Sequence, residues 1–365
     1  MNLAGYDVSD AIALPAKHDY GIGLVGCGGI VNYAHLPAYR KAGLRVVACY
    51  DQNREAAERT AAAHDIPRVA ASIDDLLADE SVQIVDMAIT PWAQATEAAR
   101  AIDAGKHLLC QKPLSDDLAA AARLVGRAKA AGVMLAVNQQ MRWDAGIRVS
   151  RQLIEQGALG GVADARIEVS VRTPWRMWPW IAASSRLEVM YHSIHYLDSV
   201  RYLFGAPVAV TARHGRWPGQ TETGETRTLT VLDYPGDLQV VVDANHHDWS
   251  DDAHARFRWL GTEGIVRGTL GLLYDYPTGR VDTLEYQPRA EPLTWHAATL
   301  GTWWIPDAFL GPMASLMEAI QTGGEPLTSG VDNLGTLRTV AAVYRSAEQG
   351  RTVRLDEIAA DGAAG

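Results

Sequence analysis

Y-G-I-G-L-V-G-C-G-G-I-V, residues Tyr20 to Val31, is an apolar run that stops in a cluster of glycines. An apolar stretch this short, broken by glycine, reads as a buried parallel strand turning into a helix. Gly26, Gly28 and Gly29 form the turn. In a strand-turn-helix unit the first glycine permits the tight turn. The second lets the backbone approach a pyrophosphate, whose charge rests on the free N–H groups and positive dipole end of the helix. A second apolar run, Leu44 to Tyr50, ends in Asp51, 23 residues beyond Gly28, where a dinucleotide fingerprint carries an acid for the ribose hydroxyls. Val31 stands where the third glycine of G-x-G-x-x-G is expected, which loosens helix-to-strand packing and leaves the phosphate site in place.

Outward from this turn the chain alternates strand and helix. Helical stretches at Asn32 to Ala42, Asn53 to His64, Ala93 to Ala104 and Ser115 to Ala131 separate strands at Val82 to Ile89, His107 to Cys110 and Met134 to Asn138, with a brief strand at Val69 to Ala71. That alternation predicts right-handed crossovers and a parallel sheet covered on both faces, with functional residues at the carboxyl ends of strands. Gly26, Asp51, Thr90, Gln111 and Asn138 occupy those ends. Beyond Arg142 the texture changes to longer alternating strands (Ala163 to Arg172, Val208 to His214, Thr226 to Asp233, Leu238 to Asn245, Arg256 to Leu260), which predicts a large open, mostly antiparallel sheet. Helices are expected at Ile147 to Gln156, Val189 to Phe204, Phe309 to Thr322 and Asn333 to Gln349. The fold class is therefore α/β: a doubly wound Rossmann domain over 18–141, then an α+β substrate-binding and oligomerisation domain over 142–357. An N-terminal extension (1–17) and a tail (358–365) flank them, the extension expected to be loosely held.

Composition narrows the partners. A net charge of -10 with no basic cluster argues against nucleic acid and anionic membrane surfaces. No apolar run approaches the roughly 18 to 20 residues of a membrane span, and residues 1–18 lack the order of a signal peptide. Cys27, Cys49 and Cys110 form no metal spacing and suit a reducing, cytoplasmic setting. His192 and His195 make an H-x-x-H pair without a recognisable third ligand, so no metal is expected.

With the glycine turn, Asp51, a Lys-Pro after a central strand and an open antiparallel sheet, the chain resembles the glucose-fructose oxidoreductase, inositol dehydrogenase and rhizopine-catabolism (Gfo/Idh/MocA) family. G-K-H-L-L-C-Q-K-P-L (Gly105 to Leu114) is similar to that family's Gly-Lys-His-Val-x-x-Glu-Lys-Pro-Leu signature. H-S-I-H-Y-L-D-S-V-R-Y-L-F-G (His192 to Gly205) is similar to its helix bearing the catalytic histidine. The resemblance implies NAD, with NADP not excluded, and oxidation of a secondary alcohol on a sugar, inositol or glycoside. Two other readings stay open: an NAD-retaining glycosidase acting by transient oxidation and elimination, and a non-catalytic NAD-binding sensor. Three positions depart from the family pattern. Gln111 replaces the signature glutamate, Tyr191 stands for the aspartate of D-x-G-x-H, and Trp92 and Gln94 occupy the region where many members carry a histidine.

Alcohol oxidation needs a group to take the hydroxyl proton and a donor or cation to steady the developing oxyanion. Lys112 and His195 are the expected pair, with Tyr191 either orienting His195 or acting as base if the lysine ammonium lowers its pKa. The cofactor site is drawn from Gly26, Gly28, Gly29, Ile30, Asp51, Arg54, Thr90, Pro91, Trp92, Gln94, Gln111, Lys112 and Asn138. The segment T-P-W-R-M-W-P-W, Thr173 to Trp180, concentrates tryptophan and arginine after a strand, so Trp175, Arg176 and Trp178, with Arg142 and His192, are expected to face substrate. The outer face of the antiparallel sheet, with Leu229, Val231 and Val241 among polar neighbours, is expected to pair subunits into a homodimer or homotetramer.

Overall fold

The computed structural model describes residues 1–359; all but the first two residues of the expected tail lie outside that range. Ile22–Val25, Val46–Tyr50, Ile84–Met87, His107–Gln111 and Leu135–Asn138 form a five-stranded sheet in which every pairing is parallel. Ile22–Val25 sits beside both Val46–Tyr50 and Ile84–Met87, so strand order reverses around the glycine turn. Crevices at such reversals are where doubly wound sheets take ligands.

Local chemistry sets the boundaries of the helices. Asn53, Ser72 and Asp117 each accept a hydrogen bond from a backbone N–H in the first turn of Arg54–His64, Ile73–Leu77 and Leu118–Ala131. Gly132, in the left-handed region, ends the last of these. The expected strand at Val69 to Ala71 reduces to a single bridge between Cys49 and Val69. Asp75, Asp79 and Arg68 pin that segment from the side.

The second sheet has nine strands, in the order His296–Ala297, Leu284–Pro288, Gly264–Thr269, His254–Gly261, Val162–Ser170, Gln239–Asn245, Arg227–Asp233, Ala209–Gly215 and Val353–Arg354. All of its neighbours pair antiparallel except Val162–Ser170 with Gln239–Asn245, which makes the sheet mixed. Its strands alternate buried and open residues, as in Gln239–Asn245, where Val240, Val242 and Ala244 are buried. Helices after this sheet return to cover the first one. Phe309, Met313, Leu316 and Met317, from Leu310–Thr322 and the turn before it, pack with Ile22, Ile84, Leu109 and Ala136 of the parallel sheet. Helix Gly330–Gln349 is capped by Ser329, and its first glycine lies so close to Leu135 and Val125 that a Cβ would come within 3.0 Å of both. The two halves share an apolar core, so their relative position is held by packing.

Two expectations are corrected here. Residues 1–17 are not loosely held: Asn2–Leu3 and Tyr6–Asp7 form a hairpin, Leu3 and Val8 are buried, and Tyr6 packs edge-on against Tyr286. Asp10 accepts hydrogen bonds from the Gly301 and Thr302 N–H groups, which anchors the rest of the segment. Arg142 is not available to a substrate. It is buried with its guanidinium held in a fork by Asp198 at 2.7 Å on two nitrogens, and it also meets Asp332 and the Leu327 carbonyl. Both carboxylates come from helices remote in sequence, and together they compensate the buried cation. Replacing Arg142 by Ala strips buried Asp198 of its forked partner and leaves it only Thr336 and the longer contact to Arg201 at 3.8 Å, so urea denaturation of Arg142→Ala is expected to show a loss of about 3 kcal/mol. A loss under about 1 kcal/mol would show that the network is not structural.

Candidate active site

A cavity of about 730 Å³ runs along the carboxyl ends of the parallel strands and out between the helical turns and loops of the second half. The glycine turn opens one end. Gly26 has φ +97°, and a Cβ there would lie 2.4 Å from the Ala88 carbonyl oxygen. Only glycine tolerates both conditions. Gly28, by contrast, faces open space, with nothing within 4 Å of where its Cβ would stand. Asp51 accepts from the Cys27 N–H and the Asn53 N–H at 2.8 Å each, so its carboxylate is oriented at the rim and keeps unused lone pairs. The cradle and the acid match the needs of a dinucleotide, whose phosphates want bare backbone and whose ribose wants an acceptor.

At the floor, His35 sets the geometry. Its Nδ1 meets Asp86 at 2.8 Å, so that nitrogen carries the proton and donates, and Nε2 accepts. Gln111 Nε2 and Asn138 Nδ2 both donate to it at 3.2 Å, and Tyr39 donates to the same Asp86 oxygen. Gln111 Oε1 in turn accepts the Lys112 backbone N–H at 2.8 Å. The amide at position 111 thus uses both ends, which a carboxylate could not do against an accepting Nε2. Asn138 is spent in the same network and does not reach the cavity.

Lys112 leaves this floor and enters the cavity. Its Nζ donates to the Tyr191 carbonyl oxygen at 2.7 Å, and burial pushes its pKa down to about 8. His195 lies on the same wall. Burial, reinforced by the Lys112 charge, holds its pKa well below the usual histidine range, and its buried Nδ1 has no protein partner. His192 is held down by burial first and by neighbouring His246, Lys112 and His195 after that. Behind it, His246 contacts the buried carboxylate of Glu188, which also accepts from Ser193 and Thr228.

The segment Val189–Ser193 is wound as a π-helical turn before the α-helix Ile194–Phe204. The wider turn changes which side chains align, and no hydrogen bond joins the Tyr191 phenol to His195 among the described residues. Lys112 meets the tyrosine's carbonyl, and burial pushes the phenol's pKa up, opposite to the lowering that a tyrosine base requires. Tyr191 packs edge-on against Trp180 instead.

The structure brings Gly26, Gly28, Gly29, Ile30, Asp51, Thr90, Pro91, Trp92, Gln111 and Lys112 to one cavity with Trp178, Tyr191, His192 and His195. Five candidates besides Arg142 lie off it. Arg54 is exposed and pairs with Glu58 one helical turn on. Gln94 is buried and its Nε2 braces the carbonyls of Gln111, Pro113 and Leu114. Asn138 serves His35. Trp175 is buried against the rings of His192 and His246, and Arg176 turns to solvent. Several lining residues carried no recognised signal. Gln140 follows the Asn138 strand end by two residues and was within reach of the strand-end rule. Leu272 and Leu273 lie on the short helical turn Gly271–Leu273 and Tyr276 in the loop after it, whereas Trp304 belongs to the Trp303-Trp304 pair, a second tryptophan cluster that the sequence does display. Tyr276 hydrogen-bonds Tyr33 across the two halves.

Models of two domains match the chain: "Oxidoreductase family, NAD-binding Rossmann fold" over residues 20–139 and "Oxidoreductase family, C-terminal alpha/beta domain" over 151–355. D-apiose dehydrogenase of Paraburkholderia graminis is 31% identical over 93% of this chain and 90% of its own length. 1,5-anhydro-D-fructose reductase of Ensifer adhaerens is 27% identical over 92% and 98%. Among solved structures, an oxidoreductase from Agrobacterium radiobacter in complex with NAD+, L-tartaric acid and magnesium superposes with a TM-score of 0.83 at 25% identity. The match covers 93% of this chain and 100% of that one.

The depressed lysine is open to direct measurement. In the free protein, a ¹³C-labelled Lys112 side chain is expected to titrate near 8 by NMR, assigned by its loss in Lys112→Met. A midpoint near the ordinary 10.4 would mean that water reaches the ammonium and that the cavity is not desolvating.

Proposed function

The chain belongs to the Gfo/Idh/MocA family of NAD-binding oxidoreductases, and from that premise we propose that it oxidises a secondary alcohol of a sugar or polyol with Lys112 and His195 handling the proton. The observation that carries this reading is the desolvated Lys112 amine, held beside His195 in the cavity that begins at the glycine turn. Gly26, Gly28, Gly29 and Asp51 would hold the dinucleotide, and bound nicotinamide supplies the hydride acceptor. Above about pH 8 the lysine is neutral and takes the hydroxyl proton; below it the ammonium gives a proton back in the reductive direction. His195, neutral by burial, orients the hydroxyl through Nε2, its Nδ1 being sealed off from the cavity. The Tyr191 carbonyl fixes where the amine stands, and the phenol is a wall. Lys112→Met is expected to lower turnover about a thousandfold or more and His195→Ala about ten- to a hundredfold, with NAD binding within threefold of wild type in both. Full activity in both variants would remove the mechanism.

The cofactor preference follows from charge. Asp51 accepts from ribose hydroxyls and repels a 2′-phosphate, while Arg54, the nearby cation on the following helix, is engaged with Glu58. Calorimetric titration is expected to give NAD an affinity at least about tenfold above NADP. Tighter NADP binding would contradict this account of Asp51.

The same reading extends to assembly. On the open face of the nine-stranded sheet, Leu229 is 43% exposed beside half-buried Val231 and Val241, within a frame of ion pairs such as Arg256 with Glu168 and Arg267 with Glu285. A second copy would cover that apolar strip, giving a homodimer or a tetramer. Sedimentation at micromolar concentration is expected to show a dimer or larger, and a monomer's mass refutes it. A cytoplasmic setting accords with the three cysteines, all free and buried.

A further inference from the structure

We propose that the substrate is an uncharged sugar ring that presents a broad C–H face, and that sugar acids and sugar phosphates are rejected. The inference rests on the dehydrogenase reading only for what is done to the ring; the class of ring follows from the charges and surfaces of the cavity.

Among the described residues lining the cavity, Asp51 and Glu97 are the acids and Lys112 is the one lysine; no arginine lines it. His192 and His195 are held neutral by burial and contribute no compensating charge near pH 7. Lys112 already gives one donor to the Tyr191 carbonyl, and desolvation favours its neutral form. The arginines nearest in sequence to the substrate-side segments do not line it: Arg142 is locked between Asp198 and Asp332, Arg186 pairs with Glu348, Arg280 pairs with Asp275, and Arg172 and Arg176 are in solvent. An anionic substrate would therefore be buried without the forked, charge-assisted partner that carboxylates and phosphates require. It would also stabilise the Lys112 ammonium and so remove the neutral amine on which oxidation depends.

Indole and aliphatic side chains make up much of the remaining surface. Trp178, Trp180, Leu272, Leu273 and Ile305 line this end, and Trp180 meets Trp92 at 5.5 Å between ring centroids at the mouth. Indole faces take the C–H face of a sugar ring or a hydrocarbon substituent. The Tyr33 and Tyr276 hydroxyls are spent on each other, and Gln140 Oε1, His195 Nδ1 and Trp304 Nε1 are sealed from the cavity, which leaves Gln140 Nε2 and His195 Nε2 as single contacts there. They suit isolated hydroxyls of a ring with a reduced polar complement, such as an anhydrosugar, a deoxysugar or a glycoside with an apolar aglycone.

The test is calorimetry on the NAD+-loaded protein with matched ligands in both the gluco and xylo series: phenyl glycoside, methyl glycoside, free sugar, the corresponding uronate and the sugar phosphate. The neutral members are expected to bind, the phenyl glycoside at least as well as the methyl glycoside, and the anionic members at least about thirtyfold more weakly than the free sugar. Met177→Arg places a guanidinium at the exposed rim and is expected to narrow that gap by about tenfold. An anion that binds as well as its neutral counterpart, no binding by any neutral ring, or a gap unchanged in Met177→Arg overturns the proposal. NADH formation recorded on the same samples separates the two ideas: neutral rings that bind without reducing NAD+ leave the substrate class standing and refute the dehydrogenase reading.

Discussion

One buried amine organises the site. Lys112 sits where a central parallel strand ends, and among the described residues its amine has one acceptor, the carbonyl of Tyr191, supplied by the π-helical turn of the other half of the chain. A single hydrogen bond does not replace the hydration of an ammonium, so the group settles near 8 rather than 10.4. Everything around it must respect that charge. His192 and His195 stay neutral partly because the lysine is close. Tyr191 gives the lysine a backbone acceptor without adding a negative charge.

The floor beneath the lysine shows the same economy. Asp86 fixes the proton of His35 on Nδ1, which makes Nε2 an acceptor, which in turn asks for donors from Gln111 and Asn138. Glutamine at position 111 meets that demand and returns its oxygen to the Lys112 N–H. The departure from the family's glutamate is thus matched to a histidine 76 residues earlier in the chain, so the two belong to one network.

Features that depend on neighbours in sequence were legible. The glycine turn, Asp51 and Lys112 before proline are local signals with local causes, and each lies where its pattern indicated. Features that depend on remote partners were not. Arg142 reads as a substrate cation until Asp198 and Asp332, 56 and 190 residues away, are brought to it. Gln94 reads as a cofactor contact until three carbonyls of the Lys-Pro turn close on its amide. The π-helical turn is invisible to a period of 3.6, so the alignment of Tyr191 with His195 was drawn from the wrong pitch. The turn and loop carrying Leu272 and Tyr276 have no periodicity at all, yet they supply a wall of the cavity. The face of the parallel sheet covered by Phe309 and Met313 could not be read from alternation, because its cover arrives only after the whole second sheet has been laid down.

The claim at the centre is that the proton of the alcohol goes to Lys112, with His195 orienting. The pH dependence of kcat/KM for oxidation, measured on wild type and His195→Ala, tests it most directly. The account predicts a rise with pH to a plateau, with a midpoint near 8, or lower once the positively charged nicotinamide is bound beside the amine, and the same midpoint in His195→Ala at reduced amplitude. Loss of the rise in His195→Ala, or a midpoint in the ordinary histidine range that disappears with that substitution, would place the proton on the histidine and contradict the account.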